Sequence, residues 1–368
     1  MKTVTVVLSV FLYASCSQIS LNLKPVKPKK KFFKASWIKN LDVKYSSGNL
    51  PIGLQAPLIV NEMLYIGHNK GSMHAFNISN GREVWSVEEG HPYHSSPIVH
   101  GRKLIYGNVE GRLFARERLN GKLIYSIDLG SAVESQPLFY KGRLLVHTRN
   151  HKIVCLDAET GKVLWAYKRS VPFLTTLQRV SRPIVLKNKI FVGFADGYVA
   201  SFGLEEGLLL WESKVVDGAK FIDVDTQPLV FNGKIVVGAQ TGHLTVLNPS
   251  GGIVERKLKL STGRSPLVID DNLLVGTIDG ELVIIDGGFN IKKRYKISQD
   301  SITSTGLWKG HIIASTTGGD IIAVGKNLAQ IKETFSFGNS SSSLFGRLEI
   351  KEGKLAAYSS RNRLYVFD

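Results

Sequence analysis

Few residues of this 368-residue chain stand at spacings that could support chemistry. The nearest approach to a metal pair is His91-Pro-Tyr-His94. Two histidines in a short loop offer two nitrogens, and no third ligand lies close by, whereas zinc takes at least three protein ligands. The pattern reads as loop histidines on a basic surface. There is no G-x-S-x-G elbow, no Walker loop and no carboxylate pairing that implies hydrolysis. No dense Asp/Glu/Asn cluster suggests a calcium cage. The expectation is a protein without catalytic residues, metal ligands or a cofactor. Two features stand out instead. Asp217, Asp223 and Asp225 gather within nine residues of a chain whose net charge is +17, and Cys16 follows directly on a short apolar run.

The chain begins MKTVTVVLSVFLYASCSQ. Lys2 supplies a positive region, the run from Val4 to Tyr13 is too short to span a bilayer as a mature helix, and Ala14 and Ser15 are small, as signal peptidases require. With Cys16 next, the segment resembles a bacterial lipobox. Residues 1–15 read as the signal peptide, and Cys16 as the lipidated first residue of the mature chain. An ordinary secretory signal with a chance cysteine is the alternative. Ser17, where an aspartate would favour the inner membrane, leans towards the outer membrane. Residues 16–35 hold Pro25, Pro28 and a group of lysines. They read as an extended, self-repelling tether, either resting on anionic headgroups or simply solvated. Cys155 is then the only other thiol, which predicts a buried, inert cysteine and no disulfide framework.

The composition, 43% hydrophobic and 21% charged with 36 glycines, suits a globular protein with many turns. The positive charge fits a basic soluble face or attraction to a polyanion. No stacking-aromatic or helix-turn-helix pattern points to nucleic acid.

The elements that would carry any site repeat. PLIVNEMLYIGHNKGSMHAFNISNGREVW from Pro57 superposes without a gap on PIVHGRKLIYGNVEGRLFARERLNGKLIY from Pro97. Pro137, Pro183, Pro228 and Pro266 begin further copies, Thr305 stands for the proline in a seventh, and an eighth starts near Leu348. His151 replaces the glycine of the third copy. The spacing is 38 to 46 residues, and each copy reads as four short strands parted by turn signals. Eight such units predict an all-β, eight-bladed β-propeller over residues 36–368. The last copy stops after its third strand. ASWIKNLD, residues 35–42, has the look of a fourth strand, with Trp37 matching Trp85, Trp165 and Trp211, so the N-terminal strand should close the ring. The fourth-strand aromatic should pack between blades. Blades five to seven lack it, with Arg256 and Arg294 at the aligned places, and should pack differently.

The unit LDAETGKVLW, residues 156–165, resembles the tryptophan-docking repeat of eight-bladed quinoprotein dehydrogenases, which implies a pyrroloquinoline quinone enzyme as one alternative. Those enzymes are longer and often use adjacent cysteines, which this chain lacks. A generic envelope scaffold with another partner is a second alternative. Across its whole length the chain resembles the BamB family, the lipoprotein propellers of the outer-membrane β-barrel assembly machine. DVDTQPLV, residues 223–230, is close to that family's DVDTxPxV, and FLTTLQRVSRP, residues 173–183, to its partner loop. The resemblance implies a non-enzymatic lipoprotein on the periplasmic face of the outer membrane. It would bind POTRA domains of BamA and hold unfolded outer-membrane proteins near the insertion site. Leu174 and Leu177 would be exposed anchors, Gln178 and Arg179 fall at or beside the family's arginine, and Asp223 and Asp225 would accept hydrogen bonds from partner cations. Alternatively, the aspartates cap local turns and the leucines tuck under the blades. If both aspartates face the partner, reversing their charge together should leave thermal stability intact.

Overall fold

A computed structural model describes residues 31–42, 54–171, 180–218, 220–338 and 342–368. Met1–Lys31 and Phe32–Asp368 are separate units, and the second contains all the strands. It holds eight four-stranded antiparallel sheets. Seven are built from consecutive strands: blades 1 to 7 occupy residues 58–88, 98–128, 138–168, 184–214, 229–258, 267–296 and 302–336. The eighth joins Glu349–Lys351, Lys354–Tyr358 and Arg363–Phe367 to the N-terminal strand Ala35–Asn40.

The closing strand is the expected one. Trp37 pairs with Val366 and Asn40 with Arg363. Packing begins slightly earlier than residue 36. Phe33 is buried, lies parallel to Trp308 with ring centroids 6.0 Å apart, and meets Phe367 edge-on. The Phe32 amide donates to Glu333 of blade 7 at 2.7 Å.

The core explains why the middle strands read as unbroken apolar runs. Successive strand residues point to opposite faces. In blade 3, Leu144, Val146, Val154 and Leu156 pack against blade 2, while Leu145, Ile153 and Cys155 pack against blade 4. Both faces of each blade are therefore buried, and only the outer strand alternates with solvent, as the burial of residues 163–168 shows. Eight apolar clusters result, one at each junction between neighbouring blades, including the junction of blade 8 with blade 1. An open row of eight blades would have seven.

The fourth-strand aromatics lie across these junctions. The indole N–H of Trp37 donates to Ile78 O at 2.8 Å, that of Trp85 to Arg118 O at 3.0 Å and that of Trp165 to Leu204 O at 3.0 Å. Tyr125 reaches Ala158 O with its hydroxyl at 3.1 Å. Each ring rests on the glycine of the next blade's turn. A Cβ on Gly121 would lie 2.8 Å from the Trp85 ring, and one on Gly161 would lie 2.7 Å from Tyr125. The Thr160-Gly161 turn thus answers to the preceding blade's aromatic, while Trp165 docks on the following one. Where the aromatic is missing, Arg256 still reaches blade 6, donating to Phe289 O at 3.3 Å, at the turn position that is glycine in blades 1 to 5 rather than three residues before it. Arg294 turns back to Glu281 of its own blade at 3.0 Å, and Lys293 makes the bridge to Asn327 O at 2.8 Å.

Cys155 is a free, fully buried thiol, and burial pushes its pKa up. Cys16 lies outside the described residues.

Candidate functional site

The connection from each blade to the next runs down to the ring axis before the first strand, which in blades 1 to 6 starts at a proline. A residue before proline is held extended, so these segments feed straight into the sheet. Small hydroxyl side chains pin them to the carbonyl at the end of the second strand. Ser135 donates to His147 O at 2.9 Å, Thr226 to Gly238 O at 2.7 Å and Thr262 to Gly276 O at 2.8 Å. A backbone bond repeats as well: Val133 N to Asn108 O at 3.0 Å, Val224 N to Phe194 O at 3.1 Å and Ile302 N to Thr277 O at 3.0 Å.

The segment DVDTQP fits this frame. Val224 is fully buried, packed so closely on Gly193 that a Cβ there would overlap it. Thr226 is clasped to Gly238 in both directions, donating to its oxygen and accepting from its amide at 2.9 Å. The two aspartates beside Val224 then differ. Asp223 is buried, with 3% of its surface exposed, so it is not the surface acceptor that the sequence suggests, and the two carboxylates are not equivalent. Asp225 is half-buried and lines a cavity at the channel mouth. Leu174, Leu177, Gln178 and Arg179 lie outside the described residues, while Val180 and Arg182, just after them, line the same cavity.

That cavity, about 180 Å³, is walled by the connections leading into seven of the blades and by the start of the first strand of blade 7. Polar side chains cross it. Arg347 of the eighth-blade connection donates to Gln136 Oε1 at 3.1 Å, and Gln136 Nε2 donates to Pro97 O at 2.9 Å. Arg264 Nε donates to Thr303 O at 2.9 Å and Nη2 to Phe345 O, tying blade 6 to the connections into blades 7 and 8. Arg182 Nη2 donates to Pro137 O at 3.2 Å. Burial, with Arg347 adding its charge, lowers the Arg182 pKa to about 10. Arg182 and Arg347 stand at the same place in the repeat, immediately before Pro183 and Leu348, but the other copies carry alanine, serine or glutamine there, so periodicity does not single out the mouth.

A second polar cluster was also illegible in the sequence. Between blades 1 and 2, Glu89 takes Arg116 at 2.8 Å and the hydroxyls of Tyr106 at 3.1 Å and Tyr93. Its oxygens are occupied by donors from blade 2 and from the connection leading into it, which makes it a clamp rather than a base. His94 and Arg149 each lie 3.5 Å from Glu134, and His91 lies 3.5 Å from Glu110. Among the described residues, no group of three His, Cys, Asp or Glu side chains could hold a metal ion.

The profile of the family described as "Outer membrane protein assembly factor BamB" matches residues 51–131 and 69–288, well over half of the chain. The outer membrane protein assembly factor BamB of Yersinia pestis is 24% identical over 182 residues, 47% of this chain and 46% of that protein. The quinoprotein alcohol dehydrogenase PedH of Pseudomonas putida is 27% identical over 110 residues, 27% of this chain and 18% of that protein. The chain thus spans less than half the length of either relative. Among solved structures, BamB from Moraxella catarrhalis superposes with a TM-score of 0.78 over 91% of this chain and 99% of that one, at 17% identity, a likeness of fold.

Proposed function

Because the chain belongs to the family of the outer membrane protein assembly factor BamB, we propose that it is a non-catalytic scaffold of the β-barrel assembly machinery, docking POTRA domains of BamA. In this reading Cys16 carries the lipid that anchors it to the periplasmic face of the outer membrane. Residues 174–179 and the segment around Asp225 form the docking loops. Unfolded outer-membrane proteins are held beside the insertion site.

The observation that carries the reading is the construction of residues 223–228. A buried valine, a doubly bonded threonine and Pro228 fix this segment, so Asp225 is offered at the mouth rim from a backbone that does not have to order on binding. A rigidly held carboxylate suits charge-assisted bonds to a partner's arginine or lysine. Asp223 serves beneath it as a support rather than a contact. The indole-on-glycine contacts of the docking repeat are accounted for by ring assembly.

Purification of the full chain from native envelopes in mild detergent, with identification of the co-purifying membrane proteins, tests this. Recovery of BamA supports the reading. Recovery of other envelope proteins without BamA would favour a scaffold with a different partner. Dye reduction upon addition of pyrroloquinoline quinone would favour the dehydrogenase.

A further inference from the structure

We propose that the channel mouth binds a small anion with paired oxygens, a carboxylate or a phosphate, between Arg182 and Arg347. The site shares its cavity with Asp225, but the inference does not rest on the docking of a protein partner.

Both guanidinium groups line the same cavity, approaching from the connections into blades 4 and 8. Arg182 is held in place by its bond to Pro137 O, yet its Nε is shut off from solvent and has no hydrogen-bond partner among the described residues. Arg347 spends one Nη2 on Gln136 and is otherwise exposed to the mouth. The influences bearing on Arg182 are its burial and the charge of Arg347, both unfavourable to the cation, and neither Asp225 nor Glu134 offsets them. Glu134 is oriented towards His94 and Arg149. A half-buried cation with a buried, idle donor, facing a second cation, is an arrangement that an anion relieves. The planar fork of a guanidinium matches the two oxygens of a carboxylate or phosphate. Ser304, whose hydroxyl oxygen accepts from Leu348 N at 3.0 Å, belongs to the same lining and has its own proton to donate to the anion.

The test uses the purified protein, titrated with sodium phosphate and with sodium succinate by calorimetry and thermal melting, sodium chloride keeping the ionic strength constant. The expected result is saturable binding of one anion per chain with a matching rise in melting temperature; the anion that responds identifies the oxygen chemistry. Arg347→Gln keeps a polar side chain opposite Gln136. It should weaken binding about tenfold, the loss of one charged hydrogen bond. In anion-free buffer it should melt no lower than the wild type, because its repulsion of Arg182 is gone. Lys332→Gln, on the outer strand of blade 7, should match the wild type. The proposal is overturned if neither anion binds saturably, if Arg347→Gln binds as tightly as the wild type, or if that variant melts lower without anion.

Discussion

If each blade is seated by an aromatic on its neighbour's glycine, Gly121 and Trp85 must be energetically coupled. Gly121 has φ +73°, and a Cβ there would stand 2.8 Å from the Trp85 ring. Gly121→Ala should therefore cost about 1–2 kcal/mol for the left-handed backbone and about 1–3 kcal/mol more for overpacking against the indole. Trp85→Ala removes a buried ring and its bond to Arg118 O, at a cost of about 3–5 kcal/mol. In the double variant the overpacking disappears, and of the Gly121→Ala penalty only the backbone part remains. The two changes should then sum to about 1–3 kcal/mol more than the double variant shows. Urea denaturation of the four proteins, followed by far-UV circular dichroism, measures this directly. Additivity within about 0.5 kcal/mol would refute the idea that the indole and the glycine form one docking unit.

Acid should destabilise the ring through three buried histidines. Burial lowers the pKa of His147 to about 3, and of His68 and His151 to about 4. Folded values below the unfolded value of about 6.5 mean that stability is full above that pH and is lost as pH falls towards 4. At pH 5 each histidine should cost about 2 kcal/mol, roughly 6 kcal/mol in all. His151, at φ +58°, occupies a position that is glycine in most repeats, so His151→Gly should remove about a third of the acid loss in urea midpoints compared at pH 7 and pH 5. Asp223→Lys should destabilise by about 3–5 kcal/mol, because it buries a reversed charge, whereas Asp225→Lys should leave the melting temperature nearly unchanged; equal effects would mean the two carboxylates share one environment. Trp37→Ala should lower stability by about 2–4 kcal/mol and raise proteolysis of the N-terminal strand, since it unseats the strand that closes blade 8; an effect under about 1 kcal/mol would contradict that role.

The ring itself was legible because its signals are local and repeated. Prolines restrict the chain before six of the first strands, glycines sit beneath the aromatics, and the middle strands are apolar on both faces. Even the missing fourth strand of the last repeat could be matched to Trp37. The partial losses were also legible as losses, although not their remedy: Arg256 reaches a different carbonyl of the next blade's turn, while Arg294 turns back to its own blade. The mouth was not legible, since it is assembled from connections that vary in length and composition. The arginines at 182, 264 and 347 stand far apart in sequence, and although 182 and 347 share the place just before the first strand, the other six copies carry alanine, serine or glutamine there. The alternation Asp-Val-Asp announces that Val224 faces opposite to its neighbours, but says nothing of which side is open. Only the packing of Val224 on Gly193 and the clasp of Thr226 on Gly238 separate a buried Asp223 from a half-buried Asp225. Cys16 and residues 174–179 lie outside the described residues, so their roles rest on the sequence.

The docking role is tested most directly by calorimetric titration of the purified protein with the POTRA domains of BamA from the same organism, alongside Asp225→Lys. The account predicts saturable one-to-one binding, weakened about tenfold or more by the substitution while the melting temperature holds. Binding that is absent for the wild type, or undiminished in the variant, would contradict it.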